Sequence, residues 1–194
     1  MEGRAVGDRR LRDVAAEATR IRLTERLRLV PIGPAVAGDL WRLHWDESVA
    51  AWYLGRWTAQ MAQQRAADYG RAWEAGGVSK WLAYDRRTGE LVGRGGLSRV
   101  NLIGRRRLEV GWAVRGDRWG RGYATEIGQA GLDFAWDDLD AGEVVAFTEP
   151  HNRRSRAVME RLGMSYAGPF DHQGESFVLY TITRAAAPGS GRQT

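Results

Sequence analysis

The feature that most restricts the fold of this chain is a strand, a glycine-rich loop and a helix that follow one another directly. Residues 106–114 (RRLEVGWAV) alternate as a strand does, and residues 124–136 (ATEIGQAGLDFAW) repeat their apolar positions at helical spacing. The loop between them, residues 116–122, is rich in glycine and arginine. A strand that runs through a short loop into a helix predicts a domain that mixes both kinds of element.

Strands and helices are also predicted on both sides of this segment. The further predicted strands are 26–31, 80–84, 90–100, 143–148, 164–167 and 176–183, and the further predicted helices are 34–44, 59–74 and 152–162. Without an internal repeat or a linker, this order indicates one mixed α/β (α+β) domain over residues 22–184. Residues 1–21 are expected to be a flexible extension, and residues 185–194 a flexible tail.

The composition excludes several kinds of site. The chain has no cysteine, which rules out disulfides, thiolate metal sites and a cysteine nucleophile. Its three histidines lack metal-ligand spacing, so we expect no metal. No apolar run approaches the roughly 18 residues that span a membrane, and we expect a cytoplasmic protein with no membrane partner.

The net charge is +5, and nearly all of the positive charge comes from arginine. Arginine binds phosphate and carboxylate groups through planar, bidentate contacts. This excess suits a polyanionic ligand, either coenzyme A (CoA) or a nucleic acid. A coding bias that replaces lysine by arginine would also explain the ratio of the two residues.

The loop has the chemistry of a phosphate site. The first turn of a helix exposes unpaired N–H groups and a partial positive charge, which together attract anions. Gly120 and Gly122 would let the backbone approach a pyrophosphate closely, and Arg118 and Arg121 would add positive charge. The short pattern fits an ordinary glycine-rich turn equally well. A P-loop is excluded because no Gly-Lys-Ser/Thr follows, and Thr125 stands where a dinucleotide fingerprint requires its third glycine.

Two longer blocks are more specific. The first comprises Glu109-Val110-Gly111-Trp112 and Trp119-Gly120-Arg121-Gly122-Tyr123-Ala124-Thr125-Glu126, and the second comprises Pro150-His151-Asn152-Arg153-Arg154-Ser155-Arg156 with Arg161-Leu162-Gly163-Met164. In their order and separation these blocks resemble the RimJ/RimL-like branch of the GNAT acyltransferase superfamily. The resemblance covers about residues 22–184.

The resemblance implies a fold and a donor. The fold would be a central, mostly antiparallel twisted sheet of about seven strands, with splayed fourth and fifth strands, flanked by about four helices. The donor would be acetyl-CoA, a co-substrate that needs no metal. Its implied binding residues are Trp112, Ala113, Val114, Arg118, Trp119, Gly120, Arg121, Gly122, Tyr123, Ala124, Thr125, Asn152 and Ser155.

The same resemblance implies that an amine attacks the thioester directly. Glu109 is the first candidate for the general base, and a structural ion pair with an arginine is the equal alternative. Many superfamily members carry a general-acid tyrosine seven residues after the asparagine, where this chain has Met159. In RimL-like relatives a serine is the proposed substitute, which corresponds to Ser155. Asp117 occupies a position near the pyrophosphate, and we expect its side chain to point away.

The acceptor is the least determined part of the prediction. Trp52, Tyr53 and Trp57 are expected to bind it, because they fall in the helical region that covers the acceptor in this fold. Trp41 and Trp45, four residues apart, are expected to be core residues. The acceptor would be a protein N-terminal α-amine or a small-molecule amine, and the protein would be a monomer or a homodimer.

Two other functions stay open on the sequence. A non-catalytic protein that binds or senses acyl-CoA would explain the missing tyrosine. A basic nucleic-acid-binding protein would explain Arg105-Arg106-Arg107, although a solvated turn suits that triplet better.

Overall fold

The computed structural model of the protein describes residues 20–53, 55–172 and 174–184. Most of the predicted N-terminal extension and the whole predicted C-terminal tail lie outside these residues. Within them, no helix combines the length and the apolar character needed to cross a membrane.

The described elements follow the predicted order closely. The strands are β1 (Arg22–Leu23), β2 (Leu27–Pro31), β3 (Lys80–Asp85), β4 (Leu91–Leu102), β5 (Arg105–Val114), β6 (Glu143–Thr148), β7 (Ser165–His172) and β8 (Glu175–Thr183). The α-helices are α1 (Ala37–Trp45), α2 (Glu47–Ala50), α3 (Ala59–Gly76), α4 (Tyr123–Asp137) and α5 (Arg153–Arg161). Short 3₁₀ turns at Pro34–Val36 and Gly116–Arg118 lead into α1 and towards α4.

The strands form one sheet in the order β1-β2-β3-β4-β5-β6-β8-β7. All neighbouring strands are antiparallel except β5 and β6, which run parallel and are matched at a single residue pair, Glu109 with Val145. The prediction of a mostly antiparallel sheet with two splayed strands is therefore confirmed. The sheet has eight strands instead of about seven because the two-residue β1 adds to the edge of β2.

Local sequence signals set several helix ends. The hydroxyl of Thr58, directly before the predicted helix 59–74, accepts a hydrogen bond from the amide of Met61 (3.1 Å) and caps α3. Gly77 ends this helix in the left-handed conformation, with φ of 62°, which costs glycine little. The Asn152 side chain caps α5 in the same way by accepting from the amide of Ser155 (3.1 Å).

Helices cover both faces of the sheet. On one face α4 packs against the sheet through a core that contains Trp81, Ile127 and Phe134. On the other face α1 and α3 bury a second core that includes Leu40, and Leu82 of β3. Alternate residues of β3 thus belong to opposite cores, as the period of a strand requires.

One core prediction is wrong in part. Trp41 packs against the second core, but Trp45 at the end of α1 is 49% exposed. Trp45 contacts Trp41, with ring centroids 5.4 Å apart, and the Arg56 guanidinium lies 5.3 Å from its ring. Because α1 ends at Trp45, helical spacing no longer carries this side chain into the core.

Glu126 ties the start of β2 to the first turn of α4. Its carboxylate accepts hydrogen bonds from the Thr24 hydroxyl (2.5 Å) and from the amide and Nε of Arg26 (2.8 and 2.7 Å). Burial raises the pKa of Glu126, but these hydrogen bonds more than offset it, so the pKa lies below the usual glutamate range. These contacts give Glu126 a structural role at the first turn of α4.

We expect Glu126→Gln to lower the free energy of unfolding by about 1–3 kcal/mol at neutral pH, because it removes charge-assisted hydrogen bonds. A carboxyl group with a lowered folded pKa stabilises the protein above its unfolded pKa, and the effect is lost as pH falls through the folded pKa. The two proteins should therefore converge in acid. Urea unfolding across this pH range measures the difference, with Glu25→Gln, at an exposed residue nearby, as control. A difference below about 0.5 kcal/mol at neutral pH would contradict the anchoring role.

Candidate active site

A cleft opens where β5 and β6 part. Beyond the Glu109–Val145 pair the two strands have no further matched residues, so the β6-facing edge of β5 has no strand partner from Val110 to Val114. The cleft has a volume of about 880 Å³ and extends from the loop before α4 to the face of the sheet that α1 and α3 cover. This volume lies within the usual range for sites that bind small molecules.

The loop before α4 forms one end of the cleft. Gly120 and Gly122 have φ of 74° and 79°, a conformation that strains any other residue. Gly122 is the N-cap of α4 and supplies no side chain to pair with the first amides of the helix. These amides, of Tyr123, Ala124 and Thr125, belong to residues that line the cleft. The loop thus presents unpaired donors at the positive end of a helix dipole.

Of the two arginines near this loop, Arg118 is held in place by its neighbours. The Arg118 guanidinium pairs with Glu90 (2.6 Å) and with Asp117 (3.3 Å), which fixes it beside the cleft. Asp117 itself is not part of the cleft wall, as expected. Arg121 also lies outside the wall, and its carbonyl oxygen accepts a hydrogen bond from Arg26 Nη1 (2.8 Å).

Trp119 closes the loop against β5. Its indole Nε1 donates to the carbonyl of Val114 (2.8 Å), so this carbonyl already has a partner. The Arg154 guanidinium of α5 lies 4.4 Å from the Trp119 ring, a cation–π contact across the cleft wall.

The start of α5 forms the opposite wall. Asn152 and Ser155 both line the cleft, and Met159 lines it one turn further on while remaining only 2% exposed. The Asn152 Oδ1 atom is committed to the cap with Ser155, whereas the Ser155 hydroxyl has no described partner. The side chain of Ser155 is therefore available to a ligand.

Glu109 lies in the cleft wall next to the point where the strands part. Its Oε2 forms an ion pair with Lys80 Nζ (2.9 Å), and the two side chains are only 15% and 7% exposed. Lys80 also donates to the carbonyl of Gly96 (3.0 Å). A Cβ atom at Gly111 would collide with Glu109 Oε1, so glycine leaves the space in which this carboxylate lies. The structural ion pair considered for Glu109 exists, with lysine instead of arginine.

A second buried cation, Arg94 of β4, lies further along the same wall and is 5% exposed. Its Nε donates to His44 Nε2 (2.9 Å), and its guanidinium carbon lies 4.9 Å from the Tyr53 ring and 6.0 Å from the Tyr69 ring. The His44 ring stacks on Trp57 with centroids 3.5 Å apart. Burial, with the charges of Arg94 and Arg65, lowers the pKa of His44 to about 2. His44 is therefore a neutral acceptor that fixes one side of the guanidinium.

Most of the residues predicted from the sequence meet in this one cleft. Those that line it are Trp52, Tyr53, Glu109, Trp112, Ala113, Val114, Arg118, Trp119, Gly120, Gly122, Tyr123, Ala124, Thr125, Asn152 and Ser155. Trp52 also stacks on His151, with ring centroids 5.5 Å apart. Two predicted residues do not line it: Arg121, and Trp57, which lies behind the wall with 6% exposure.

Several polar residues of the cleft wall were not identified from the sequence, among them Lys80, Arg94, Tyr69 and Glu149. Two of them carried a usable signal. Lys80 is the chain's only lysine and opens a predicted strand, and Arg94 interrupts a run of small and apolar residues in another. Charged residues are rarely buried unless they are paired, so a charged residue in a strand that otherwise has a buried pattern is a candidate functional residue.

Comparison with known proteins identifies the class. Residues 26–165 match the family described as the acetyltransferase (GNAT) domain. The Bacillus subtilis protein YkkB, itself uncharacterized, is 30% identical over 159 residues, which cover 81% of this chain and 92% of YkkB. The chain therefore belongs to the GNAT acetyltransferase family, whose members are acetyl-CoA-dependent N-acetyltransferases. This confirms the family named from the sequence and identifies the protein as an enzyme.

Solved structures agree with this assignment at the level of the fold. A GNAT-family acetyltransferase from Bordetella pertussis has a TM-score of 0.74 at 24% identity, covering 84% of this chain and 98% of its own. The ribosomal L7/L12 α-N-protein acetyltransferase RimL, solved in complex with coenzyme A, has a TM-score of 0.72 at 15% identity, with coverage of 84% and 98%.

Proposed function

We propose that this protein transfers an acetyl group from acetyl-CoA to a primary amine by direct attack in a ternary complex. The observation that carries the proposal is the cleft itself, in which the unpaired edge of β5 lies next to the uncapped first turn of α4. An unpaired strand edge can hydrogen-bond the amides of pantetheine, and an uncapped helix N-terminus can bind a pyrophosphate.

Charge supports the donor assignment. The cleft wall around the loop and α5 includes the arginines Arg118, Arg153, Arg154 and Arg161, which would attract the phosphates of CoA. RimL, which shares the fold, was solved with coenzyme A bound. The cleft continues from this basic end to the Glu109 and Arg94 region, so donor and acceptor have room to bind together.

The reaction requires an uncharged amine. In the proposed mechanism Glu109, directly or through water, takes a proton from the acceptor, and the amine nitrogen attacks the thioester carbon. Strand amides near Ala113 and Val114 stabilise the oxyanion. The carbon–sulfur bond then breaks, the Ser155 hydroxyl protonates the departing thiolate, and the proton lost from the acceptor nitrogen is returned to Ser155, directly or through water. The products are an N-acetyl amide and free CoA.

Two measurements test the proposal together. Thermal unfolding is followed with acetyl-CoA, CoA, NAD and ATP in turn, because a ligand that binds the native state raises the midpoint by mass action. We expect the two CoA species to raise it and NAD and ATP to leave it unchanged. Thiol release from acetyl-CoA is then measured with a panel of primary amines, and since the chain has no cysteine, the thiol signal reports CoA alone.

The outcomes separate the alternatives. No midpoint shift with either CoA species would overturn the donor assignment. A shift without thiol release from any amine would overturn the transfer reaction and leave an acyl-CoA-binding protein. A midpoint raised by DNA or RNA, and lost steeply with salt, would favour the nucleic-acid alternative.

A further inference from the structure

Arg94 is a buried cation whose neighbours leave part of its hydrogen-bonding capacity unused. It lines the cleft, is 5% exposed, and forms one hydrogen bond with a described residue, from its Nε to His44 Nε2. His44 is neutral, and Tyr53 and Tyr69 are uncharged phenols beside the guanidinium, so none of these groups supplies a compensating negative charge. Apart from a contact with the Tyr53 side chain, the two terminal amino groups of the guanidinium have no hydrogen-bond partner in the described part of the chain.

Burying a cation without an anionic partner costs free energy of folding, so Arg94 is expected to have an anionic partner. Glu109 is the nearest candidate on the same wall, but its carboxylate is paired with Lys80. No carboxylate among the described residues forms a salt bridge with Arg94. Because Nε is already taken, the free end of the fork presents its two terminal amino groups, the arrangement that binds a carboxylate bidentately.

The charges on the acceptor side of the cleft match a zwitterion. Four charged residues line this part of the wall: Lys80, Arg94, Glu109 and Glu149. Once Lys80 and Glu109 have neutralised each other, Arg94 and Glu149 remain as one cation and one anion. A ligand with one carboxylate and one ammonium group would complement both.

The amine must also reach Glu109, the proposed base, and this limits the length of the ligand. Arg94 is paired with Ala113 across the sheet and Gly96 with Gly111, and the charged ends of Lys80 and Glu109 meet beside Gly111, so this ion pair lies about one strand repeat from Arg94. Two residues along a strand span about 7 Å. Hydrogen bonds at both ends use part of this distance, and the remainder suits an amine and a carboxylate separated by only a few bonds.

We propose that Arg94 binds a carboxylate of the acceptor, and that the acceptor is a small molecule with a carboxylate close to its primary amine, such as a free amino acid. The inference rests on the acetyl transfer proposed above and narrows its acceptor. A protein N-terminus fits less well, since the carboxyl group next to its α-amine is consumed in a peptide bond.

The test compares amino acids with their own carboxamides as acceptors, using thiol release from acetyl-CoA by the full-length protein. Each pair differs only in the carboxylate, and the carboxamide mimics the start of a peptide. The amine of a carboxamide loses its proton more easily, so the comparison is biased against the expected result. We expect kcat/KM to be about 10- to 100-fold higher for the preferred amino acid than for its carboxamide, as for one charge-assisted bidentate contact.

Variants then assign the effect to Arg94. Arg94→Gln should reduce the preference for the carboxylate to near unity and leave the midpoint shift with CoA unchanged. Arg99→Gln, on the same strand at an exposed position outside the cleft wall, is the matched control and should keep the preference. If Arg94→Gln does not fold, the comparison of amino acids with carboxamides on the unchanged protein still shows whether the acceptor needs a carboxylate.

The inference is overturned if carboxamides and simple amines are acetylated as well as the amino acids. It is also overturned if no compound is acetylated and, with CoA present, no amino acid raises the unfolding midpoint more than its carboxamide does. Failure of the acetyl transfer alone looks different, because then no amine releases thiol while an amino acid still raises the unfolding midpoint more than its carboxamide does.

Discussion

Replacing Glu109 by glutamine is expected to lower kcat by about 100-fold or more, because a positioned general base contributes roughly 10²–10⁴ to the rate. Glutamine keeps the size of the side chain and an oxygen that can accept from Lys80, so the cleft should keep its shape. The affinity for CoA should not change, since the loop before α4 is untouched. Steady-state kinetics with a saturating amine, together with the midpoint shift produced by CoA, separate these two effects.

The ion pair with Lys80 requires a control, because Glu109→Gln leaves a buried ammonium group without its anion, which by itself destabilises a protein. The double variant Lys80→Met with Glu109→Gln removes both charges. If Glu109 is the base, the double variant stays as inactive as the single one even where its stability recovers. Glu74→Gln, at an exposed position of α3 outside the cleft wall, should be fully active.

A loss of less than about threefold in Glu109→Gln would be too small for a general base. The carboxylate would then be a structural partner of Lys80 that shapes the wall. Glu149 would become the next residue to test, because it lines the same cleft and, among the described side chains, its carboxylate accepts only from the neighbouring Thr148 hydroxyl (3.0 Å).

The sequence predicts best those features that depend on residues close together in the chain. Thr58 and Gly77 were identifiable as helix ends because a cap is decided by residues a few positions apart. The strand, loop and helix around Gly120 were identifiable for the same reason. Helix α2, by contrast, spans only four residues, too few for a helical period to register.

Contacts between residues far apart in the chain could not be predicted from the sequence. His44 and Arg94 are 50 residues apart, and Lys80 and Glu109 are 29 apart, so each pair depends on strand register and on how α1 covers the sheet. Trp57 illustrates the same limit. The sequence predicts that its aromatic segment binds the acceptor, but only the packing against His44 decides that Tyr53 lines the cleft while Trp57 lies behind it.

The second large effect is expected at Gly122, where alanine should raise the dissociation constant for CoA by about 10-fold or more. Gly122 has φ of 79°, and an L-residue in this region costs roughly 1–2 kcal/mol. The added Cβ would also lie 3.3 Å from Arg26 Nη2, in the group that anchors α4 to β2. The loop can relieve both costs only by changing φ, which turns the first amides of α4 away from the cleft.

The matched control is Gly104→Ala in the turn between β4 and β5. Gly104 has φ of 67° and open space around its Cβ position, so it carries a similar backbone cost at a residue outside the cleft wall. Both variants should lose similar stability without ligand, while only Gly122→Ala should lose part of the CoA-dependent midpoint shift. A 10-fold weaker affinity removes about 1.4 kcal/mol of the stabilisation given by a fixed excess of CoA.

The pair of variants also tests how the pyrophosphate is held. If Gly122→Ala binds CoA as tightly as the unchanged protein, the amides of the α4 turn do not carry the phosphate contact. The arginines of the wall, led by Arg118 and Arg154, would then have to supply the affinity through charge alone. That attraction weakens with salt, whereas contacts made by amides at a fixed helix end depend on it less. The midpoint shift with CoA is therefore measured at low and high salt for the unchanged protein and for Gly122→Ala. The salt dependence distinguishes phosphate binding by the α4 amides from binding by the arginines of the wall.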